Sequence, residues 1–215
     1  MQKSQKTDAT RRLWTPARLA FTLAVLSLFA AFGISSCNSR DEKPAAGNRN
    51  APAVSNNPAN APVIMLPANV TNAELKAVTG APIRLSEYSG KVLIVNLWAT
   101  WCGPCRMEIP ELVKLGKEFR SRGLEIVGLS TEDPEATAQS VPQFIQNYNV
   151  DYRVGWATPE VAATLMQGRD AIPQSFVISR SGRVIKRFVG YNATATPPQI
   201  RAAIEEALNE KGAAD

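Results

Sequence analysis

Residues 92–99, VLIVNLWA, form a nearly continuous apolar run of strand length that leads directly into WCGPC at 101–105. A strand with so little polar alternation is buried on both faces, so its sheet needs a covering layer on either side. Gly90 and Lys91 precede the run and mark where it starts. LEIVGLST (124–131), entered through Gly123, reads as a second such strand. SFVIS (175–179) and RVIKRFVG (183–190) flank the turn Arg180-Ser181-Gly182 and read as an antiparallel hairpin. Helices are expected over 103–121, over 135–149 after Asp133-Pro134, over 159–166 and over 197–211. In the last, Ile200, Ala203, Ile204, Ala207 and Leu208 recur at helical spacing and form one apolar face. With 45% hydrophobic residues in 215, the chain can build the core this demands. The order predicts an α/β fold, a central mixed β-sheet flanked by helices on both faces.

Cys102 and Cys105 stand where the first strand gives way to a helix. Two such thiols can make a structural staple, half of a metal site or a reversible redox couple. Structural zinc takes four Cys or His ligands, whereas this chain has no histidine and its third cysteine, Cys37, lies 65 positions upstream of Cys102. The lack of histidine also excludes haem attachment through CxxCH and Cys-His hydrolase chemistry. A staple closing a four-residue loop removes little chain entropy. In the redox reading, the helix N-terminus favours the thiolate of Cys102, which becomes the nucleophile, and Cys105 follows one turn along the same face. Glu108, three residues after Cys105, is the candidate proton acceptor if buried; the plainer reading is a solvated helix-face glutamate. No metal is expected, and no cofactor beyond the redox disulfide. An alternative of another class is a non-catalytic binding module that uses the thiols as a redox-sensitive latch.

The net charge of +5 belongs to the N-terminus. Residues 1–36 hold Lys3, Lys6, Arg11, Arg12 and Arg18 against Asp8 alone, leaving 19 basic and 18 acidic residues in the rest of the chain. That balance gives no electrostatic reason to bind nucleic acid. The cations precede LAFTLAVLSLFAAFGI (19–34), an uncharged run followed by Ser35, Ser36 and Cys37, so 1–36 reads as an export signal. ISSC resembles the lipobox of bacterial lipoproteins, which implies lipidation at Cys37 and an anchor in the membrane. An uncleaved signal anchor and plain secretion are the alternatives. Residues 37–65, rich in Ala, Pro and Asn, read as a flexible linker.

WATWCGPC at a strand end, Pro110 five residues after the second cysteine, and Ile172-Pro173 before SFVIS together resemble the thioredoxin superfamily over roughly residues 66–212. The stretch SEYSGKVLIVNLWATWCGPCRMEIPEL, Asn96 six residues before Cys102, Glu108, and an insertion over about 132–171 are similar to its exported TlpA-like and ResA-like branch. The resemblance implies a thioredoxin-like fold and a Cys102–Cys105 redox disulfide. It also implies a cis-proline at Pro173 which, with Trp101 and Ile172, shapes a substrate groove beside Cys102. Trp98 and Trp101 are read as half-core residues shielding the thiols, and Asn96 is given no role. The implied protein is a periplasm-facing thiol-disulfide oxidoreductase of the bacterial cell envelope, acting as a monomer. It would reduce disulfides of exported proteins such as apocytochrome c, recharged by a CcdA-like or DsbD-like membrane thiol transporter. A weak disulfide oxidase or isomerase is the alternative within the same chemistry.

Overall fold

The computed structural model of the chain describes residues 63–210. The signal segment, the Cys37 lipidation site and the linker up to residue 62 lie outside the described residues. In chain order the elements are α1 (Ala68–Thr71), β1 (Val92–Trp98), α2 (Gly103–Phe119), β2 (Leu124–Ser130), α3 (Ser140–Asn147), β3 (Arg153–Trp156), α4 (Pro159–Met166), β4 (Gln174–Ile178), β5 (Val184–Val189) and α5 (Thr196–Asn209). The five strands form one mixed sheet in the order β3-β2-β1-β4-β5. β1, β2 and β3 run parallel, while β4 is antiparallel to both β1 and β5.

β1 lies at the centre with all seven residues buried, as a run that is apolar but for Asn96 requires. Leu93, Val95 and Leu97 face one layer, where they meet Val161 and Leu165 of α4. Val92 and Ile94 face the other, against Leu112, Leu115 and Phe119 of α2 and Ile200, Ala203 and Ile204 of α5. The period-2 alternation of the strand thus assigns each residue to one of two cores.

Three expectations shift. The helix expected over 135–149 contracts to α3, because Asp133 Oδ1 accepts from the amides of Glu135 (2.9 Å) and Ala136 (2.8 Å) and folds 134–139 into turns. The helix expected to 121 ends at Phe119 and tightens into a 3-10 turn over Arg120–Arg122. β3 was not anticipated at all. It pairs with β2 on one edge and is covered on the other by residues 76–78, where Trp156 N donates to Lys76 O (3.0 Å) and Val78 N to Val154 O (2.9 Å). At the opposite end of the sheet, Val184 N donates to Ile64 O (2.8 Å).

Candidate active site

β1 delivers the chain to the mouth of α2. Cys102 has extended backbone angles (φ −77°, ψ 111°) and caps the helix: its Sγ accepts from the Cys105 amide at 3.2 Å, and Pro104 lies in the first turn. Cys102 and Cys105 are joined in a disulfide, S–S 2.05 Å with Cα atoms 5.3 Å apart. Cys105 is fully buried and Cys102 is 4% exposed, so a visiting sulfur can reach only Cys102.

The loop before the nucleophile is held from both sides. Thr100 donates from N and from Oγ1 to the Glu132 carboxylate, each at 2.7 Å, and Ser130 Oγ donates to the same group at 3.1 Å. The Thr100 carbonyl accepts from Arg106 Nε (2.9 Å) and Nη2 (2.7 Å), so the first turn of α2 is tied back to the loop that leads into it. Sequence reasoning missed this clamp, whose halves lie 32 residues apart.

The tryptophans split rather than share a half-core role. Trp98 is 1% exposed and packs against Phe144 with ring centroids 4.6 Å apart, whereas Trp101 is 68% exposed beside Cys102. The period of the strand explains this: Trp98 still belongs to β1, while Trp101 lies in the turn beyond it. Next to Cys102, the Ile172–Pro173 peptide bond is cis. Ile172 O lies 3.7 Å from Cys102 Sγ, and Pro173 O accepts from Gly190 N at 2.8 Å.

Glu108 is completely buried, which removes the reading of a solvated helix-face glutamate. Its Oε2 accepts from Asn96 Nδ2 at 2.8 Å and its Oε1 from Ser175 Oγ at 2.9 Å. Asn96 Nδ2 also donates to Ser175 Oγ at 3.0 Å, closing a three-residue network. Burial raises the Glu108 pKa to about 7, outweighing the lowering by the bonds from Ser175 and Asn96. Asn96 Oδ1 is buried with no hydrogen-bond partner. The phenol of Tyr152 is pushed up by burial and, secondarily, by the Glu108 charge. Asn96 therefore has a defined contact that the sequence did not assign, and Ser175 was not anticipated. The available signal was Asn96 itself, a polar residue inside an apolar strand; the β1–β4 register sets Ser175 opposite it.

Among the described residues no group of three or more His, Cys, Asp and Glu is placed to hold a metal ion, and no helix is long and apolar enough to cross a membrane. What the site offers chemically is one reachable sulfur on a helix N-terminus, a second sulfur bonded behind it, and a buried carboxyl one turn further along.

A five-stranded mixed sheet with this disulfide at the head of α2 defines a thioredoxin-like protein with a CxxC disulfide. Residues 67–187 match the AhpC/TSA family, and the chain belongs to that family. The thiol-disulfide oxidoreductase ResA of Bacillus subtilis (strain 168) is 32% identical over 128 residues, covering 57% of this chain and 66% of that protein, just under two thirds of its length. The thiol:disulfide interchange protein HelX of Rhodobacter capsulatus is 35% identical over 101 residues, covering 47% of this chain and 53% of that protein. Among solved structures, a thiol:disulfide interchange protein of the thioredoxin family from Chlorobium tepidum TLS superposes with a TM-score of 0.53 at 33% identity, covering 66% of this chain and 99% of that one.

Proposed function

We propose that the protein is a thiol-disulfide oxidoreductase that reduces disulfides of other proteins through the Cys102/Cys105 pair. The observation that carries this reading is the arrangement of the pair itself: Cys102, bonded to Cys105, is the one residue of the pair with any solvent exposure, and its Sγ lies 3.7 Å from the Ile172 carbonyl oxygen. In the dithiol form, the amide of Cys105 and the N-terminus of α2 favour the Cys102 thiolate. That thiolate attacks a substrate sulfur, making a Cys102–substrate mixed disulfide and releasing the other substrate sulfur, which takes up a proton. Cys105 gives its proton to Glu108 and attacks Cys102 Sγ, breaking the Cys102–substrate bond, and the second substrate sulfur departs as a thiolate that takes up a proton. The substrate leaves as a dithiol, having gained two electrons, and the protein is left with the Cys102–Cys105 disulfide. No further cofactor enters the cycle.

The cations ahead of the uncharged run 19–34, and the ISSC that follows it, support placing this activity in the bacterial cell envelope. There the protein would be held by a lipid on Cys37, work as a monomer, and be recharged by a CcdA-like or DsbD-like thiol transporter. Apocytochrome c is the proposed substrate, its CxxCH pairs presenting the kind of disulfide this dithiol would open. The test is insulin reduction by the purified protein. Wild type is expected to turn over, Cys102→Ser to be inactive, and Cys105→Ser to accumulate a covalent substrate adduct on Cys102. Turnover that survives Cys102→Ser would refute the reading. A 102/105 couple far more oxidising than glutathione would instead favour the oxidase direction.

A further inference from the structure

The cis-proline loop is held by a side chain that plays no part in the chemistry above. Gln174, the first residue of β4, is fully buried. Its Nε2 donates to two carbonyls of the loop, Arg169 O at 2.7 Å and Ala171 O at 2.8 Å. Its Oε1 accepts from Arg187 Nε (3.2 Å) and Nη2 (2.6 Å). Arg187, on β5, spends its remaining donors on the end of α4, bonding Met166 O at 2.6 Å and Gln167 Oε1 at 2.9 Å, and lies 5.3 Å from the centre of the Phe176 ring. The planar fork of the guanidinium thus ties three segments to one amide.

Both donors of Gln174 turn loop carbonyls inward. With the Ala171 carbonyl fixed there, the next one, Ile172 O, lies on the groove side, 3.7 Å from Cys102 Sγ. Neighbouring residues of a strand point to opposite faces, so Gln174 stands on the side of Leu97 and α4 while Ser175 joins Asn96 and Glu108 on the side of α2. A change at Gln174 therefore alters the loop without entering the carboxyl network.

We propose that Gln174, braced by Arg187, is a positioning residue that holds the Arg169–Pro173 loop as a ready-made edge for an incoming polypeptide, and so sets affinity for protein disulfides. This rests on the oxidoreductase reading and names what that site selects: extended polypeptide rather than small disulfides. A preorganised edge spares the complex the entropy of ordering the loop, and that benefit is lost to a substrate too small to pair with it.

The experiment compares insulin with hydroxyethyl disulfide as substrates for wild type, Gln174→Met and Gln174→Glu. Methionine keeps the volume and removes every hydrogen bond; glutamate keeps the acceptor for Arg187 and loses both donors to the loop. Each variant is expected to raise the KM for insulin about tenfold, the scale of two lost ordering hydrogen bonds, with kcat and the hydroxyethyl disulfide rate within about twofold of wild type. An unchanged insulin KM, or both substrates slowed in parallel, overturns the proposal. Should both variants fail to fold, Arg187→Lys decides, since lysine keeps the charge and loses the fork: a raised insulin KM alone supports the proposal, and an unchanged one overturns it. Wild type that cannot reduce insulin defeats the oxidoreductase reading and this one with it, whereas active wild type with unaffected variants defeats only this one.

Discussion

Asn96 Nδ2 lies 2.8 Å from Glu108 Oε2, so a central strand and the helix that carries the disulfide meet through a buried amide and a buried carboxyl. The carboxyl bears the larger consequence. Burial moves its pKa from 4.5 to about 7, meaning that the folded chain keeps this proton where the unfolded chain has released it. Its contribution to stability is full below about pH 4.5 and is lost as pH rises through about 7. Over that span the loss is roughly 3 kcal/mol for a shift of this size. Glu108→Gln cannot ionise, so its stability relative to wild type should rise by that amount between pH 4 and pH 8 in urea unfolding of the oxidised proteins. Parallel pH curves for the two proteins would show that folding does not shift the Glu108 pKa. The same substitution should slow the Cys105 step of insulin reduction most at the pH where wild-type Glu108 is ionised.

Asn96 holds the carboxylate with a donor while leaving its own Oδ1 without one. Asn96→Leu, similar in volume, removes both the bond and the orphan acceptor. The Glu108 pKa should therefore move further up, readable from the carboxyl carbon of Glu108 in an NMR titration. At pH 5, where Glu108 is neutral, stability should change by less than about 1 kcal/mol, since the desolvation cost of a buried unpaired oxygen disappears with the bonds that are lost. A fall in that pKa would mean that the amide does not act as a donor to the carboxylate.

Glu132 gathers three donors, the Thr100 amide, the Thr100 hydroxyl and the Ser130 hydroxyl, onto one carboxylate. Glutamine offers one oxygen and turns an NH2 group toward at least one of those donors. Glu132→Gln should cost about 1–3 kcal/mol of stability. Because Thr100 sits two residues before Cys102, insulin turnover should also fall. The Thr100 amide should lose protection from hydrogen exchange while the core of β1 keeps its own. Full turnover with full protection at Thr100 would show that the clamp is dispensable.

The elements that sequence alone placed are those whose evidence is local. The nearly continuous apolar run from Val92 to Trp98 marks β1, and the spacing of Ile200, Ala203, Ile204 and Ala207 marks α5. β3 escaped because Arg153–Trp156 is only four residues long, begins with an exposed arginine and carries a glycine. It is a strand because β2 pairs with one of its edges and residues 76–78 cover the other. The site divides in the same way. Cys102, Cys105 and Glu108 follow one another at three-residue steps along the start of α2 and could be read from spacing. Ser175 is 67 positions from Glu108 and Glu132 is 32 from Thr100, so only the folded sheet brings them together. Trp101 was misread because its exposure depends on where β1 stops.

Gly155 is the point at which β3 accepts its outer cover. A Cβ placed there would come within 2.5 Å of Lys76 O and 3.1 Å of Ile83 Cδ1; the first of these atoms is backbone and cannot swing aside. Gly155→Ala must therefore push residues 76–78 off the sheet edge or distort β3, at a cost of about 1–3 kcal/mol. The matched control is Gly103→Ala, where a Cβ meets nothing within 4 Å; its stability should differ little from wild type. Hydrogen exchange locates the damage: the amides of Val78 and Trp156, which bond across this edge, should exchange faster in Gly155→Ala, while those of β1 stay protected. If Gly155→Ala proved as stable as Gly103→Ala, the close approach of residues 76–78 would not be what demands glycine at this position.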